Sequence, residues 1–495
     1  MIDDLPPQSS ALYSKTCIHR DVLEVLADIS LQPDIVKQTI PVFTSRIKNQ
    51  AAGALEAKEE ILCIACCLHR IASECQDMQS LQHILTLAVV PSLGLCVQAS
   101  LSDCDSVLNN AAVLHAIAKF TAVVVSKLQE SSTLLNQVLQ LFLDGRCQEL
   151  DIPWRDHLFQ PFQVKNMSSS QSRLVVLFTA VVCSQKAEVE IPRLPEILDV
   201  LFQLAKHSSD TDTSVAASKG FAALLNKHNQ DAALDQILCN FINDLSPELL
   251  TGGGDNQEMS RSLTFLSWVT CALVVRGHAK ASELTRLLLQ QLDSVVLGRQ
   301  AADGFSIILG DHQDVMVSSL HANIRIMYRQ RFFISVLPQL VQGIQGAQPA
   351  KKSNYLTALS YVLKNVPKQV LTTELPKLLP LLVQSLMTED LPLQLSTMNT
   401  MSELIKDAPE LLTRHIDSLI PQLLKLSQYR PSMKVRIAAL RCLSSMSDLP
   451  HHVLYPHQKH VLRTLATALD DHKRLVRKEA VAARGEWCLL GTAQK

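Results

Sequence analysis

The sequence predicts an all-α solenoid, a superhelix of stacked antiparallel helix pairs. Three observations predict it. The stretch Leu411–Leu443 reads as two amphipathic helices about a turn: Ile416, Leu419, Ile420, Leu423 and Leu424 fall on one helical face, and Val435, Ala438, Ala439, Cys442, Leu443 and Met446 on another. Between them Gln428-Tyr429-Arg430-Pro431-Ser432 breaks both patterns, and Pro431 suits a first helical position. The pattern also repeats. Leu337-Pro338, Leu379-Pro380 and Ile420-Pro421 recur at a near-constant step, and Val435-Arg436 returns after the same interval as Val476-Arg477. Finally, apolar residues make up 47% of the chain and aromatics only 4%, while alternating β-branched runs bounded by tight turns are missing. One hairpin cannot bury two apolar faces alone, so such a sequence folds by stacking copies.

A period of roughly 42 built of paired helices, with a proline inside the first and Val-Arg opening the second, is the HEAT-repeat signature. Leu393 keeps the register one period before Val435, and Phe221 and Phe305, two periods apart, extend it backwards. Looser steps recur at Ile40-Pro41 and Leu194-Pro195. The organisation expected is HEAT-like repeats over 1–245 with a loop insertion near 145–166, a Gly-rich loop over 246–258, and C-terminal HEAT repeats over 259–495, most regular over 332–490.

In order, Thr16–Ile29 and Asp34–Lys48 form a first hairpin, followed by helices over Glu56–Glu74, Ser80–Ala99, Ser106–Leu128 and Ser131–Leu143. Gly145–Asn166 interrupts with Pro153, Trp154, Phe159, Pro161 and Phe162. Such aromatics either anchor a partner, Trp154 being the candidate, or pack on their own repeat. Helices resume at Ser170. Gly252-Gly253-Gly254 lacks the Gly-Lys-Ser/Thr ending of a phosphate loop and reads as an inter-helix connection. Gln313–Pro338 reads as a longer helix carrying Arg325, Arg329 and Arg331; the first two, one turn apart, can share a face toward an acidic segment or simply be a solvated surface. The last repeat gathers Lys473, Arg474, Arg477, Lys478 and Arg484 opposite Asp470, Asp471, Glu479 and Glu486. In a HEAT unit the turn Asp and the Arg after Val bond along the stack, which assigns Arg436, Arg477 and Asp471 to structure and leaves Lys473, Arg474 and Lys478 for recognition.

Cys63, Cys66, Cys67 and Cys75 form the one metal-like cluster. A Cys-x-x-Cys half-site is present and its second half is missing, so packing as small core residues at i, i+3 and i+4 is the alternative to ligation. Thirteen cysteines without an export signal indicate free thiols in a reducing compartment. The acidic start MIDDLPPQSS does not resemble a signal peptide, which places the chain in cytoplasm or nucleus. Ile84–Val97, with Pro91 and Gly94, is too short an apolar run to span a membrane and reads as a core helix. The formal charge of -1 gives no overall reason to bind nucleic acid or an anionic membrane. No catalytic motif, paired carboxylate setting or cofactor fingerprint emerges, and His451, His452, His457 and His460 have no acidic or cysteine partner at ligand spacing. A non-enzyme without cofactors is expected.

Several segments carry a family resemblance: RIMYRQRFF from Arg325, NYLTALSYVL from Asn354, ELPKLLPLL from Glu374, SMKVRIAALRC from Ser432, and LDDHKRLVRKEAVAARGEWCLLG from Leu469, joined near the start by VLEVLADIS and DIVKQTIPV. Together they resemble the C-terminal half of the methyl-methanesulfonate-sensitivity DNA repair and transcription family. The resemblance implies a HEAT-repeat adaptor of the cytosolic iron-sulfur assembly targeting complex. It implies that the C-terminal repeats dock a small acidic carrier protein and a WD-repeat propeller, and that the assembly serves apo iron-sulfur clients such as DNA helicases, polymerases and primase. It assigns no contact residue, so Arg325, Arg329, Arg331, Lys473, Arg474, Lys478, Arg484 and Trp154 are candidates from the residues alone. The rival classes are a HEAT scaffold of transport-receptor or phosphatase-subunit type and a Cys-ligated metalloprotein.

Overall fold

The computed structural model describes residues 25, 28, 33–51, 55–101, 106–128, 132–145, 162, 167–228, 232–251, 255–312, 314–364, 378–407 and 409–490. Among the described residues there is no strand. They fall into two compact units, Met1–Arg276 with Asp311–Ile324, and Gly277–Gly310 with Arg325–Lys495.

Unit 1 is built of helix pairs: α1 (Pro33–Gln50) with α2 (Leu55–Glu74), α3 (Met78–Leu101) with α4 (Ala111–Lys127), α5 (Ser132–Asp144) with α6 (Ser169–Val182), α7 (Leu194–His207) with α8 (Thr211–Lys227), and α9 (Ala232–Thr251) with α10 (Asn256–Arg276). The second members pack side by side in one row, α2 on α4, α4 on α6, α6 on α8 and α8 on α10. Unit 2 repeats the plan with α11 (Ala281–Gln291) and α12 (Gly298–Leu309), α13 (Ile326–Gly346) and α14 (Pro349–Lys364), α15 (378–386) and α16 (Leu391–Asp407), α17 (Ile416–Ser427) and α18 (Met433–Met446), and α19 (His451–Ala468) and α20 (Arg474–Leu489). Its row runs α12, α14, α16, α18, α20. Each unit is thus an α-solenoid stack, in which every row helix inside the stack buries apolar side chains against two row neighbours and one pair mate.

The α17–α18 hairpin shows the local causes. Ile416, Leu419, Ile420, Leu423 and Leu424 are all buried, and Val435, Ala439, Cys442 and Leu443 face them from α18. Pro421 sits inside α17, and Ser432 caps α18 by accepting the Val435 N–H. Pro431 is therefore in the turn before the cap rather than at the first helical position expected.

Two polar devices recur along the rows. At the helix starts an Asp before one row helix pairs with an Arg of an earlier row helix: Asp210 with Arg173, Asp390 with Arg299, and Asp471 with Arg436. Arg436 also donates to the Tyr429 and Arg430 carbonyls, 3.0 Å each, and Arg477 to the Asp471 carbonyl at 2.6 Å. At the helix ends a last-turn cation caps the carbonyls that end the preceding row helix. Lys127 reaches Ser73 and Cys75, Lys227 reaches Cys183 and Gln185, and Arg276 reaches Leu225. Burial drives the Lys227 ammonium down to about 8, against a small opposing effect of Cys183.

Several expectations change in detail. Residues 246–251 are helical in α9 and 256–258 in α10, so the expected loop shrinks around Gly252–Gly254, which lie outside the described residues. The helix containing Ile84–Val97 runs the full Met78–Leu101, 24 residues, long and apolar enough by composition to cross a bilayer. It packs on α1 and α4 as a core helix, with Leu81, Ile84, Ala88, Val89 and Val97 buried. Pro91 cannot donate to the Leu87 carbonyl; a π turn at Leu85–Val89 takes up the defect and the Thr44 hydroxyl of α1 occupies that carbonyl at 2.7 Å. Gln313–Pro338 is not one helix: α13 starts at Ile326, and Asp311–Ile324 forms a strap that returns to unit 1.

Candidate partner-binding surface

In α20 the buried face is Val476, Ala480, Ala483 and Trp487, which turns Arg474, Lys478, Val481, Gly485 and Leu489 to the opposite side at i, i+4, i+7, i+11 and i+15. Lys473, Arg474, Lys478 and Arg484 are all exposed, and among the described residues none is in an ion pair. Leu475, Val481 and Leu489 are 55%, 61% and 61% exposed, a level that only single surface apolar residues normally reach, yet here three lie on one helix among four cations. A Cβ on Gly485 would meet nothing, so the middle of this face is open. On α19, Lys459, His460 and Arg463 flank a shallow groove at Pro456. The combination suits an acidic surface with apolar residues between its carboxylates.

The other candidates are dispersed. Arg325 is extended just before α13 and exposed, Arg329 is half-buried and donates to the Gly310 carbonyl at 3.4 Å, and Arg331 is exposed over the Tyr328 ring. Arg329 is thereby drawn toward the fold, and the shared Arg325–Arg329 face does not form. Trp154 lies outside the described residues. From the same insertion Phe162 is buried, stacks on Phe142 at 4.8 Å and donates its N–H to the Phe142 carbonyl, so this aromatic packs on its own repeat.

Cys67 and Cys75 are buried, Cys63 is half-buried and Cys66 is exposed. The expectation that the three α2 cysteines share the core face fails for Cys66: Ile61, Ile64, Ala65, Leu68, Ile71 and Ala72 define that face, and Cys66 lies across the helix from it. Among the described residues no three His, Cys, Asp or Glu side chains gather as a metal site. His457 instead meets Asp417 at 3.1 Å.

Sequence comparison decides the family. A family model described as RNAPII transcription regulator C-terminal, MMS19_C, matches residues 22–447. The chain belongs to the MMS19 family. This MMS19-family chain is 41% identical over 483 residues to the MMS19 nucleotide excision repair protein homolog of Bos taurus, covering 96% of the chain and 46% of that relative. It is 40% identical over 485 residues to the Homo sapiens homolog, again 96% and 46%. Against the DNA repair/transcription protein mms19 of Schizosaccharomyces pombe it is 32% identical over 296 residues, 59% of the chain and 29% of that relative. The chain spans about half the length of the animal relatives it matches. Among solved structures, a Kap121p mutant aligns with TM-score 0.48 and 12% identity over 99% of the chain and 46% of Kap121p. Yeast importin-β, Kap95p, aligns with TM-score 0.43 and 12% identity over 97% and 62%.

The sequence reading missed Lys219, Asn226 and Trp268, which hold the strap. Their sequence signal is that Lys219 and Asn226 stand two turns apart on one face of α8, on either side of the apolar run Phe221–Leu225.

Proposed function

We propose that this MMS19-family chain is a non-enzymatic adaptor of the cytosolic iron-sulfur protein assembly machinery. On this reading it acts in cytoplasm and nucleus and brings a small acidic carrier protein and a WD-repeat propeller to apo iron-sulfur clients of DNA replication, repair and transcription. The observation that carries it is the outward face of α20, where Arg474, Lys478, Val481 and Leu489 are exposed together. A basic and apolar face fits an acidic carrier, and a rigid stack that holds carrier and client at once raises the effective concentration of one near the other. The relatives named for DNA repair and transcription support the client class.

The test is a pull-down from cytosol with the wild-type chain and with Arg474→Glu/Lys478→Glu. The wild type is expected to recover the carrier and propeller, and the double reversal to lose the carrier by about tenfold or more, on the order of one desolvated charge pair. Equal recovery by both chains removes α20 as the docking face. Recovery of import cargo or phosphatase subunits without assembly factors overturns the function itself.

A further inference from the structure

The strap Asp311–Ile324 leaves α12, crosses part of the unit 1 row, and hands the chain on to α13. Its hold on that row is directed at main chain as much as at side chain. The Asn226 carboxamide of α8 reads both sides of residue 323: Oδ1 accepts the Asn323 N–H at 2.7 Å and Nδ2 donates to the Asn323 carbonyl at 3.1 Å. Asn226 is fully buried, and Nδ2 is steadied by the Ala272 carbonyl of α10 at 3.2 Å. Two residues earlier, His321 adopts φ +63°, and its Nε2 lies 2.8 Å from the Ser126 carbonyl that ends α4. The strap's 3-10 turn, Ser318–Leu320, packs on α4, and Met316 and Leu320 are buried.

At the other end Asp314 pairs with Lys219 of α8, whose ammonium also stands 5.2 Å from the centre of the buried Trp268 ring of α10. The His312 ring lies tilted against the same indole, centroids 4.3 Å apart. The receiving surface therefore offers a cation held on an aromatic ring for a carboxylate, ground for two apolar side chains, and a carboxamide clamp for the main-chain N–H and C=O of one residue. A carboxamide offers an acceptor and a donor side by side, the complement of the main-chain N–H and C=O of any non-proline residue whatever its side chain. These features are those of a site for an acidic peptide, and the strap, which threads turns and a 3-10 helix across that surface, carries its own acid.

We propose that the face of unit 1 formed by α4, α8 and α10 is a binding site for an acidic peptide, held self-occupied by the strap. A ligand of the same chemistry, a carboxylate followed by two apolar residues and a residue with free main-chain N–H and C=O, binds there by displacing Asp311–Ile324. Because the strap is covalently continuous with both units, it competes as an intramolecular ligand at high effective concentration, and the site opens only to a segment that outcompetes it. This site is independent of α20.

Two measurements on the full chain test it. Hydrogen exchange by mass spectrometry is expected to show the strap amides opening locally, with protection about tenfold or more below that of the α8 and α10 amides. Exchange of strap and helices together, only on global unfolding, overturns the proposal. The second uses a fluorescein-labelled synthetic peptide with the sequence of Asp311–Ile324, followed by anisotropy. It is expected to bind the Asp314→Lys chain about tenfold or more tighter than the wild type, since repulsion from Lys219 frees the site, whereas a peptide carrying the same change binds neither. Asp314→Asn, which removes the charge without repulsion, is carried alongside as the milder variant and is expected to lie between. No peptide binding by either variant, or equal binding by all three chains, overturns the proposal.

Discussion

Trp487 of α20 donates its indole N–H to the Leu443 carbonyl of α18 across 2.7 Å, with the whole side chain buried. That carbonyl needs an outside donor because the Ser447 N–H at the end of α18 turns back to Ser444 and Ser445 instead. One residue thus fills the core between two row helices and finishes the capping of one of them.

Trp487→Ala is expected to destabilise unit 2 by about 3–5 kcal/mol through the lost volume. Trp487→Phe is expected to cost about 1–3 kcal/mol, since it keeps most of the volume and strands the carbonyl. Urea unfolding midpoints check both. The Arg474→Glu/Lys478→Glu chain is expected to unfold within about 0.5 kcal/mol of wild type, as exposed substitutions do.

The Arg436–Asp471 pair carries an acid signature. Burial acts to raise the Asp471 carboxyl, but the Lys473 N–H and the Arg436 guanidinium outweigh it and leave it below its ordinary 3.8. A depressed folded value means that the unfolded chain binds the proton first as pH falls. The contribution is therefore complete above the ordinary carboxylate value and lost below it. Asp471→Asn is expected to cost about 1–3 kcal/mol at neutral pH, with the gap to wild type closing as pH falls below about 4; stability measured from pH 7 to pH 2.5 checks it.

Lys227 gives the opposite signature at the alkaline end. Its folded value, about 8 against an ordinary 10.5, means that between those limits the unfolded chain holds the proton more tightly, so this residue adds stability as pH rises through that window. The stability of wild type minus that of Lys227→Met is expected to increase from pH 8 to pH 10.5. The difference is the useful quantity, because Tyr355 and Tyr361, pushed up by burial to about 12, pull both chains the other way.

Thiol labelling separates the cysteines. Cys96, Cys183 and Cys442 are raised by burial to about 12 and stay protonated, whereas Cys66 and Cys488 are exposed. Brief maleimide treatment of the native chain followed by peptide mass spectrometry is expected to modify Cys66 and Cys488 and to spare the other three until the chain is unfolded.

The repeat plan was legible wherever burial follows helical spacing. Val435 and Val476 are both fully buried at the positions their repeat spacing predicted, and Pro338 and Pro421 both lie inside the first helix of a pair. Legibility failed where long-range partners override local pattern. Val315, Met316, Val317 and Leu320 look like helix residues by spacing, but Lys219, Trp268 and Asn226, all far back in the sequence, claim their segment. Cys66 was misplaced for a simpler reason: an i, i+3, i+4 set fixes an arc of the helix, and only the stronger apolar set around Ile64 fixes which arc is inward. The basic face of α20 was readable as charge but not as a surface, since Leu475, Val481 and Leu489 resemble core residues until Trp487 shows which side is buried.

The return of Asp311–Ile324 to unit 1 also sets a timetable for synthesis. A ribosome completes α10 while Lys219 still lacks Asp314 and Asn226 still lacks Asn323, and it must first make α11 and α12, whose own neighbours in unit 2 do not yet exist. N-terminal domains ordinarily fold as they emerge. Here the first unit is finished only after the second has begun, so α11 and α12 are synthesised before the α13 and α14 helices that join them in unit 2.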